Sequence, residues 1–281
     1  MKAVFRRFGA RGPRVLDANG SSVSVEGHDD LAAVAALEKV AVLAHWSRSP
    51  RLSKSVATTV MALVDAGYRV VVVSTAESPE PLDWGIDRPT GLTVIRRPNV
   101  GYDFGSWATA LHRYPVIADA ARVLLLNDSI VGPFTTIEPL LEKFQASAAD
   151  VWAVTDTGQF EYHLQSYILG FTGKSLREAP LQAFWRDVCV EASKDDVIWR
   201  YEIGLSRLLR RERYGVDVAI PWRHVVPNGR NPAIIGWQGL LDRGFPFVKR
   251  ELLTDPRIAP DGEMVPIELR RRFAIDVAEW V

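Results

Sequence analysis

Residues 97–134 decide the fold, and they read RPNVGYDFGSWATALHRYPVIADAARVLLLNDSIVGPF. A glycine-rich turn comes first and contains Asn99, Gly101, Asp103 and Gly105. A helix is predicted to begin at 107–111, and the apolar run at 123–126 predicts a buried strand. Three polar residues come directly after that strand: Asn127, Asp128 and Ser129. In open α/β sheets ligands bind outside the carboxyl ends of the strands, so a ligand site is expected here.

Strands and helices alternate on both sides of this stretch. Short apolar runs, typical of strands that are buried on both faces, lie at 40–44, 68–74, 92–95 and 151–155. Amphipathic helices are predicted at 53–66 and 137–144, where apolar residues recur at helical spacing. A strand–helix–strand order implies right-handed parallel crossovers. The sequence therefore predicts an α/β fold with a mostly parallel, Rossmann-like sheet.

The two ends of the chain have a less regular pattern. Residues 1–38 are expected to form an irregular lead-in, with one short helix at 29–38. Beyond residue 160 we predict strands at 164–171 and 216–220 and helices at 181–191 and 201–211. We therefore expect one α/β domain at 39–255, with a C-terminal extension on its acceptor side, and a helical tail at 256–281.

Composition and charge exclude some classes of protein. The chain has 281 residues with 34 basic and 34 acidic side chains, so its formal net charge is zero. Proteins whose main partner is a nucleic acid usually carry a basic excess, so no such partner is expected. Cys189 is the only cysteine, which allows no disulfide within the chain and argues against a cysteine-based zinc site.

The apolar runs also bear on location. No run reaches the roughly 18 apolar residues that a membrane-spanning helix needs. The basic N-terminus lacks an apolar core of signal-peptide length. We therefore expect a cytoplasmic protein, and this expectation is compatible with peripheral contact at the inner face of a membrane.

Asp128 is the first candidate for chemistry. A carboxylate at a strand end, with the carboxamide of Asn127 and the hydroxyl of Ser129 beside it, can bind Mg²⁺ or Mn²⁺ through oxygen. Such an ion would neutralise the diphosphate of a leaving nucleotide. The alternative is a turn in which Asp128 caps backbone amides. Asp128 is the one acid in this group of three polar residues.

Further residues are candidates for binding a donor. In the glycine turn, Asn99 and Asp103 can hydrogen-bond to a base or ribose, and Gly101 allows close approach of the backbone. His45 and Ser47 follow the first buried strand, where parallel sheets contact nucleotides. Lys249 and Arg250 follow an aromatic segment and could hold phosphates. A polar turn and a solvated pair of cations are the alternative interpretations.

Acidic and polar residues later in the chain are candidates for catalysis. Glu202 begins an amphipathic helix but lies off its apolar stripe, so it is the candidate general base, unless it only complements the helix dipole. Asp156 follows a predicted strand and is the second candidate. His163 and Gln165 lie near the same edge and are candidates for binding an acceptor.

Several of these segments together resemble the rhamnan synthesis protein F family of bacterial polysaccharide biosynthesis. The matching pieces are RPNVGYDFGSW, VLLLNDSIVGPF, VWAVTDTGQFEYHLQSYILGF, AFWRDV, YEIGLS and GFPFVKRELL. They span roughly 40–255. The resemblance implies a glycosyltransferase-like domain of the A-type fold that acts in rhamnose-rich cell-wall or lipopolysaccharide assembly.

The resemblance also implies roles for particular residues. In A-type glycosyltransferases an Asn-x-Gly turn and a helix precede the metal-binding strand, and a later acid that opens a helix is the catalytic base. Here those places fall on Asn99 with Gly101, on Asp128 and on Glu202. This chain has a single acid where the family pattern has two.

Two functions from different classes follow. The first is an enzyme that moves a sugar, such as rhamnose, from a nucleotide-diphosphate donor to a glycan or lipid-linked acceptor. The second is a non-catalytic module that binds a glycan or a nucleotide within an assembly complex, which the incomplete acidic motif favours.

Overall fold

The computed structural model describes residues 10–27, 31, 37–85 and 88–281. The strands of this part of the chain are β1 (Ser24–Glu26), β2 (Lys39–His45), β3 (Arg69–Ser74), β4 (Leu92–Arg96), β5 (Arg122–Asn127), β6 (Ile130–Val131), β7 (Val151–Ala153), β8 (Asp156–Thr157), β9 (His163–Leu164), β10 (Ile168–Thr172), β11 (Val216–Val218) and β12 (Val248–Lys249). The α-helices are α1 (Val15–Ala18), α2 (Lys54–Asp65), α3 (Tyr102–Arg113), α4 (Glu138–Ala146), α5 (Ala179–Arg186), α6 (Lys194–Val197), α7 (Ile203–Arg211), α8 (Pro232–Ile235), α9 (Trp237–Asp242), α10 (Arg250–Thr254) and α11 (Val265–Phe273).

Eight strands form the central sheet, in the order β1-β4-β3-β2-β5-β10-β7-β11. The four inner strands from β4 to β5 are parallel to one another, as are β7 and β11. Strand β10 runs antiparallel to both of its neighbours, and β1 runs antiparallel to β4. The sheet is thus mixed and mostly parallel, and the predicted α/β fold is confirmed.

Helices cover both faces of the sheet because its inner strands are apolar on both faces. In β2, Val40 and Val42 pack into one core cluster, whereas Ala41 and Leu43 pack into the other. Helices α3, α5 and α7 cover the first face, and α2 and α4 cover the second. Alternate side chains of each strand therefore serve opposite layers, as expected for a strand in the middle of such a fold.

Most of the predicted elements are confirmed, with shifted ends. The predicted strands at 40–44, 68–74, 92–95 and 123–126 correspond to β2, β3, β4 and β5. Helix α3 begins at Tyr102, earlier than predicted, because Gly101 in the left-handed region (φ 75°) allows the chain to turn directly into the helix. The predicted strand at 164–171 is two strands, β9 and β10, separated by a turn.

The prediction of an irregular lead-in needs correction for the described residues 10–27. They contain the short helix α1 and the edge strand β1, whose Glu26 binds Arg96 of β4 at 2.6 Å. Val15 of α1 is fully buried in the core. These elements depend on partners far away in the chain, and so local pattern did not reveal them. The helix predicted at 29–38 falls largely outside the described residues.

The C-terminal part adds a third apolar cluster to the fold. Trp237, Val248, Leu269 and Trp280 are buried in it, together with Val131 of β6. Within the predicted tail at 256–281, helix α11 spans Val265–Phe273. Across 10–27, 31, 37–85 and 88–281, no helix is both long enough and apolar enough to cross a membrane.

Candidate active site

The candidate site lies where the strand order reverses. The chain runs from β2 outward to β3 and β4, and then returns to place β5 on the other side of β2. The segments that leave β2 and β5 therefore diverge at the carboxyl edge, which is the place where open α/β sheets bind ligands. Two hydrogen bonds join these segments: Trp46 N–H donates to Asp128 Oδ2 at 2.9 Å, and Asp128 N–H donates to Ala44 O at 3.1 Å.

A cleft of about 1370 Å³ opens at this crevice. Residues after β2, the side of α2, the turn after β5 and the start of α10 form its walls. Its basic lining residues are Arg48, Arg51, Lys54, Lys194, Lys249 and Arg250. Its acidic lining residues are Asp128, Glu251 and Glu279. Two of the acids pair with lysines, Glu279 with Lys54 at 3.2 Å and Glu251 with Lys194 at 3.7 Å, so the cleft keeps a positive excess.

The turn after β5 is fixed by its own hydrogen bonds. Asn127 Oδ1 accepts from Ser129 N–H at 3.1 Å and from the Ser129 hydroxyl. Asn127 Nδ2 donates to Asp103 Oδ2 at 2.8 Å, which ties the turn to the first turn of α3. Asn127 is itself buried. Its carboxamide therefore shapes the turn, and the candidate for contact with a ligand is Asp128.

Strand β12 and the first residue of α10 bring two cations to this turn, Lys249 and Arg250. It pairs antiparallel with β6, Lys249 opposite Ile130. Lys249 Nζ donates to Ser129 Oγ at 2.8 Å and lies 5.2 Å from the centre of the Tyr167 ring. Arg250 Nε donates to the Asp128 carbonyl at 2.9 Å.

Burial raises the pKa values of two acids at this turn, Asp103 and Asp128. Burial raises the pKa of Asp103 to about 7, and the nearby charges of Asp128 and Glu202 add to this rise, against the pull of Lys249. Burial also raises the pKa of Asp128, whereas the Trp46 amide and Arg250 act in the opposite direction. Burial lowers the pKa of Lys249, which Glu202 and Asp103 partly restore. The cluster is thus a set of coupled charges in a poorly hydrated place.

His45 and Ser47, which the sequence analysis predicted as donor contacts, both line the cleft. His45 is buried, its Nδ1 lies 3.1 Å from Ser74 Oγ, and burial together with Arg250 and Arg96 lowers its pKa to about 4. It is therefore a neutral ring at pH 7. The Ser47 hydroxyl donates to the Ser49 carbonyl at 2.6 Å.

Glu202 lies in a second group of polar residues. It ends a π-helical segment, Ile198–Glu202, that precedes α7. Its carboxylate accepts from Ser166 Oγ at 2.8 Å and lies 3.6 Å from His163 Nε2. π-Helical turns are rare and often mark functional positions. Glu202 does not line the cleft, but its charge acts on Asp103 and Lys249, so the two groups are neighbours.

One exposed aromatic ring, that of Phe160, packs beside the π-helical segment that contains Glu202. Phe160 is 65% exposed and has a positive φ of 66°, which is unusual for an aromatic residue. Its ring lies 5.7 Å from that of Trp199, which belongs to the same π-helical segment as Glu202. A strained turn therefore holds a large apolar ring that is mostly exposed and has Trp199 as its aromatic neighbour.

Three further predicted residues do not line the cleft: Asp156, Gln165 and Asn99. Asp156 is buried and accepts from Trp222 N–H at 2.7 Å, and Gln165 is buried between Thr155 and Asn231. Neither lines the cleft. Asn99 is exposed and lies outside the cleft lining.

Gly101 faces the core. A Cβ at this position would lie 2.3 Å from Val15 Cγ2, so the glycine is needed for packing.

The expected Mg²⁺ or Mn²⁺ can be tested against the available oxygens. Magnesium requires six oxygens in near-octahedral order, supplied by one or two carboxylates, substrate and water. Asp128 Oδ2 and the Asp128 carbonyl already accept from Trp46 and Arg250, and Ser129 Oγ accepts from Lys249. Within the described ranges no three His, Cys, Asp or Glu side chains are grouped so as to hold a metal. With one carboxylate in the turn, whose Oδ2 already accepts from Trp46, and with Lys249 and Arg250 beside it, this turn is a poor match for a divalent ion.

Some residues of the site were not among the sequence-based candidates. Trp46, Arg48, Arg51 and Lys194 line the cleft, and Ser166 holds Glu202. Trp46 and Arg48 follow β2 directly, so the rule for strand ends could have found them. Lys194 and Ser166 depend on packing between distant elements, and nothing in their local sequence marks them.

Comparisons with known proteins agree with the predicted family. The family model described as rhamnan synthesis protein F matches residues 86–266, more than half of the chain. The virulence protein VirA of Vibrio anguillarum is 30% identical, over 57% of this chain and 62% of VirA. The uncharacterized protein y4gN of Sinorhizobium fredii is 27% identical, over 55% of this chain and 42% of y4gN. The chain thus spans less than two thirds of each relative.

Among solved structures, a glycosyltransferase involved in the glycosylation of the major capsid of PBCV-1 resembles the chain with a TM-score of 0.41 and 12% identity. The match covers 78% of this chain and 98% of that one. Similarity at this level does not bear on function. The family model matches more than half of the chain, and the chain therefore belongs to the rhamnan synthesis protein F family.

Proposed function

We propose that the protein is a glycosyltransferase that moves a sugar from a nucleotide-diphosphate donor to a glycan or lipid-linked acceptor. The observation that carries this proposal is the cationic cleft at the reversal of strand order, where Lys249 and Arg250 bind the turn that contains Asp128. A diphosphate is the common anion that matches both the position and the excess of positive charge. Membership of the rhamnan synthesis protein F family supports it.

In this proposal the donor lies in the cleft along the ends of β2 and β5. Lys249 and Arg250 contact the phosphates, since charge-assisted hydrogen bonds to phosphate are strong in a poorly hydrated site. Arg48 and Arg51 extend the positive wall toward the outer part of the cleft. His45, neutral at pH 7, and Ser47 provide hydrogen bonds without adding charge. The roles predicted for Asn99 and Gly101 have no such support from their positions.

The acceptor approaches from the side of Glu202. Glu202 removes the proton from an acceptor hydroxyl, and that oxygen bonds to the anomeric carbon as the bond from this carbon to the phosphate oxygen breaks. The nucleoside diphosphate leaves with the bonding electrons and is stabilised by the cations of the cleft. Ser166 and His163 hold the carboxylate in place. Asp103, with a pKa near 7, replaces Asp156 as the second candidate for the base.

Phe160 and Trp199 give this side an apolar surface for the acceptor. The flat face of a pyranose ring is apolar and packs on aromatic rings, whereas its hydroxyls require polar partners such as Glu202. The strained backbone at Phe160 favours a role in binding over a role in folding. We therefore assign these rings to the acceptor.

The finer features of the proposal come from the family. Its name suggests rhamnose as the transferred sugar and a cell-surface polysaccharide or lipopolysaccharide as the product. The order of the glycine turn, helix α3 and strand β5 with Asp128 supports a sheet of the A type. A cytoplasmic location and contact with the inner face of the membrane belong to the same proposal.

A panel of nucleotide-sugars tests the function directly. The purified protein is incubated with each donor, with and without rhamnose-containing oligosaccharides, and released nucleoside diphosphate is measured. We expect release with one class of donor, stimulated by an acceptor and lost in Glu202→Gln. Binding of nucleoside diphosphate without turnover of any donor would instead favour the non-catalytic module, and absence of both would exclude the two functions.

A further inference from the structure

We propose that Lys249 and Arg250 are the resident cations of the donor site and that the protein binds nucleoside diphosphate without a divalent metal. The inference rests on the proposed function and names how the same site recognises its ligand. It departs from the expectation that Asp128 holds Mg²⁺ or Mn²⁺.

The first support is that oxygens of the turn after β5 already accept hydrogen bonds from protein donors. A turn that binds a metal ion has oxygens that are available to coordinate it. Here protein donors already reach three of the oxygens that would face such an ion. Trp46 N–H binds Asp128 Oδ2, Arg250 Nε binds the Asp128 carbonyl, and Lys249 Nζ binds Ser129 Oγ.

The second support is the position of the Lys249 ammonium among the acids. It is attracted by both Glu202 and Asp103, and it also stabilises the charge of Asp128. The ammonium thus supplies positive charge near these carboxylates, as a divalent ion would. A divalent ion placed beside Lys249 and Arg250 would be repelled by two positive charges in a site of low polarity.

The third support is the way the fold holds these cations. The pairing of β12 with β6 fixes the backbone of Lys249 opposite Ile130, and Arg250 N–H donates to the Ser129 carbonyl at 2.8 Å. The side chain of Lys249 is further held against the Tyr167 ring. Side chains fixed in this way are organised before the ligand arrives, so they lose little freedom on binding. Both residues line the cleft.

Calorimetry with nucleoside diphosphates tests the proposal on the whole chain. The uridine, thymidine, guanosine and cytidine diphosphates are each titrated in EDTA, in Mg²⁺ and in Mn²⁺. We expect the preferred nucleotide to bind in EDTA with an affinity within about threefold of that in either metal. Binding that requires Mg²⁺ or Mn²⁺ would overturn the inference and leave the proposed function standing, whereas no binding in any condition would overturn both.

Variants then identify the cation. Lys249→Met keeps the length and the apolar stem of the side chain but removes the charge, and we expect it to weaken diphosphate binding in EDTA at least tenfold. Lys143→Met removes a lysine that is exposed on α4, outside the cleft, and serves as the matched control with unchanged affinity. Circular dichroism and the thermal midpoint show that Lys249→Met is folded. Wild-type affinity in a folded Lys249→Met protein contradicts the assignment. If this variant is unfolded, the affinity of Lys249→Gln and the titrations of the native protein in EDTA, Mg²⁺ and Mn²⁺ test the assignment instead.

Discussion

The Lys249 ammonium donates a hydrogen bond to the Ser129 hydroxyl at 2.8 Å, although 120 positions separate the two residues in the chain. This contact joins the turn after a central strand to a two-residue strand near the C-terminus. Through this contact the turn after β5 and Lys249 together form one wall of the cationic cleft. The chemistry proposed for the protein depends on this junction more than on any single motif.

The substitution Asp128→Asn distinguishes the two interpretations of the turn. The carboxamide oxygen of the new side chain can still accept from Trp46 N–H, and the contact of Arg250 with the backbone carbonyl is unaffected. We therefore expect the variant to bind nucleoside diphosphate within about threefold of the wild-type affinity, measured by calorimetry in EDTA. If Asp128 were a metal ligand, the variant would lose metal-dependent binding, because a neutral amide is a poorer ligand for Mg²⁺ than a carboxylate.

Glu202→Gln should slow the chemical step without changing donor binding. The glutamine keeps an oxygen for Ser166 Oγ but cannot take up a proton. Loss of a general base typically lowers kcat by about 10²- to 10⁴-fold. Single-turnover rates at saturating donor measure the effect, and calorimetry with nucleoside diphosphate is the control. A full rate in the variant would move the role of the base to Asp103.

Asp103→Asn should change stability in a manner that depends on pH. The folded-state pKa of Asp103 is raised from 3.8 to about 7, so between these values the folded protein holds a proton that the unfolded chain has released. Wild-type stability therefore falls as pH rises through this window. We expect the variant to match the wild type near pH 4 and to gain about 1–3 kcal/mol at pH 8, since one pKa unit corresponds to about 1.4 kcal/mol and solvent screens part of it.

Urea unfolding at a series of pH values measures this difference. The carboxamide of the variant can still accept from Asn127 Nδ2, so the tie between α3 and the turn is kept. A constant difference in unfolding free energy from pH 4 to pH 8 would show that Asp103 has an ordinary pKa.

Gly101→Ala should destabilise the fold, since the structure assigns this glycine to packing. Its φ of 75° is strained for alanine, and its added Cβ would lie 2.3 Å from Val15 Cγ2. Gly67 has a similar φ of 82° with nothing within 4 Å of an added Cβ, so Gly67→Ala reports strain alone. We expect strain to cost about 1–2 kcal/mol in both variants and overpacking to add about 1–3 kcal/mol at Gly101. Equal unfolding free energies for the two variants would mean that α1 moves aside freely.

Phe160→Ala should weaken binding of the acceptor and leave binding of the donor unchanged. The ring is 65% exposed, so its removal leaves no cavity and relieves little packing. We expect KM for a rhamnose-containing oligosaccharide to rise about three- to tenfold and KM for the donor to stay constant in steady-state assays. Exposed Val216, on the edge strand β11, provides the control as Val216→Ala. An unchanged KM for the oligosaccharide would remove this ring from the acceptor surface.

The sheet and the strand-end residues could be predicted from sequence because their signals are local. Four apolar residues in β5 followed by Asn127 indicate both a buried strand and its end, and the rule for ligands at such ends located Asp128. His45 and Ser47 were predicted in the same way, and both line the cleft. The helix at Glu202 was also predicted, although its π-helical start was not, since no residue pattern distinguishes π from α turns.

The partners of these residues could not be predicted, because sequence pattern contains no register between distant segments. Asp156 was predicted as a second catalytic acid, but it is bound to the Trp222 amide, whereas the neighbours of Glu202 are Ser166 and His163. Similarly, the glycine turn suggested a ligand contact at Gly101, where the structure has a core valine. A glycine has the same local signature whether ligand or core lies against it.

The pairing of β12 with β6 has a consequence for synthesis of the protein. The turn that contains Ser129 leaves the ribosome well before Lys249, and at about 5–20 residues per second the interval of 120 residues lasts on the order of 10 s. During that interval the early sheet can form while its anion-binding wall is missing. The parallel strands up to β5 can therefore fold before Lys249 is available, and the cationic wall of the cleft is completed only when Lys249 has been synthesised.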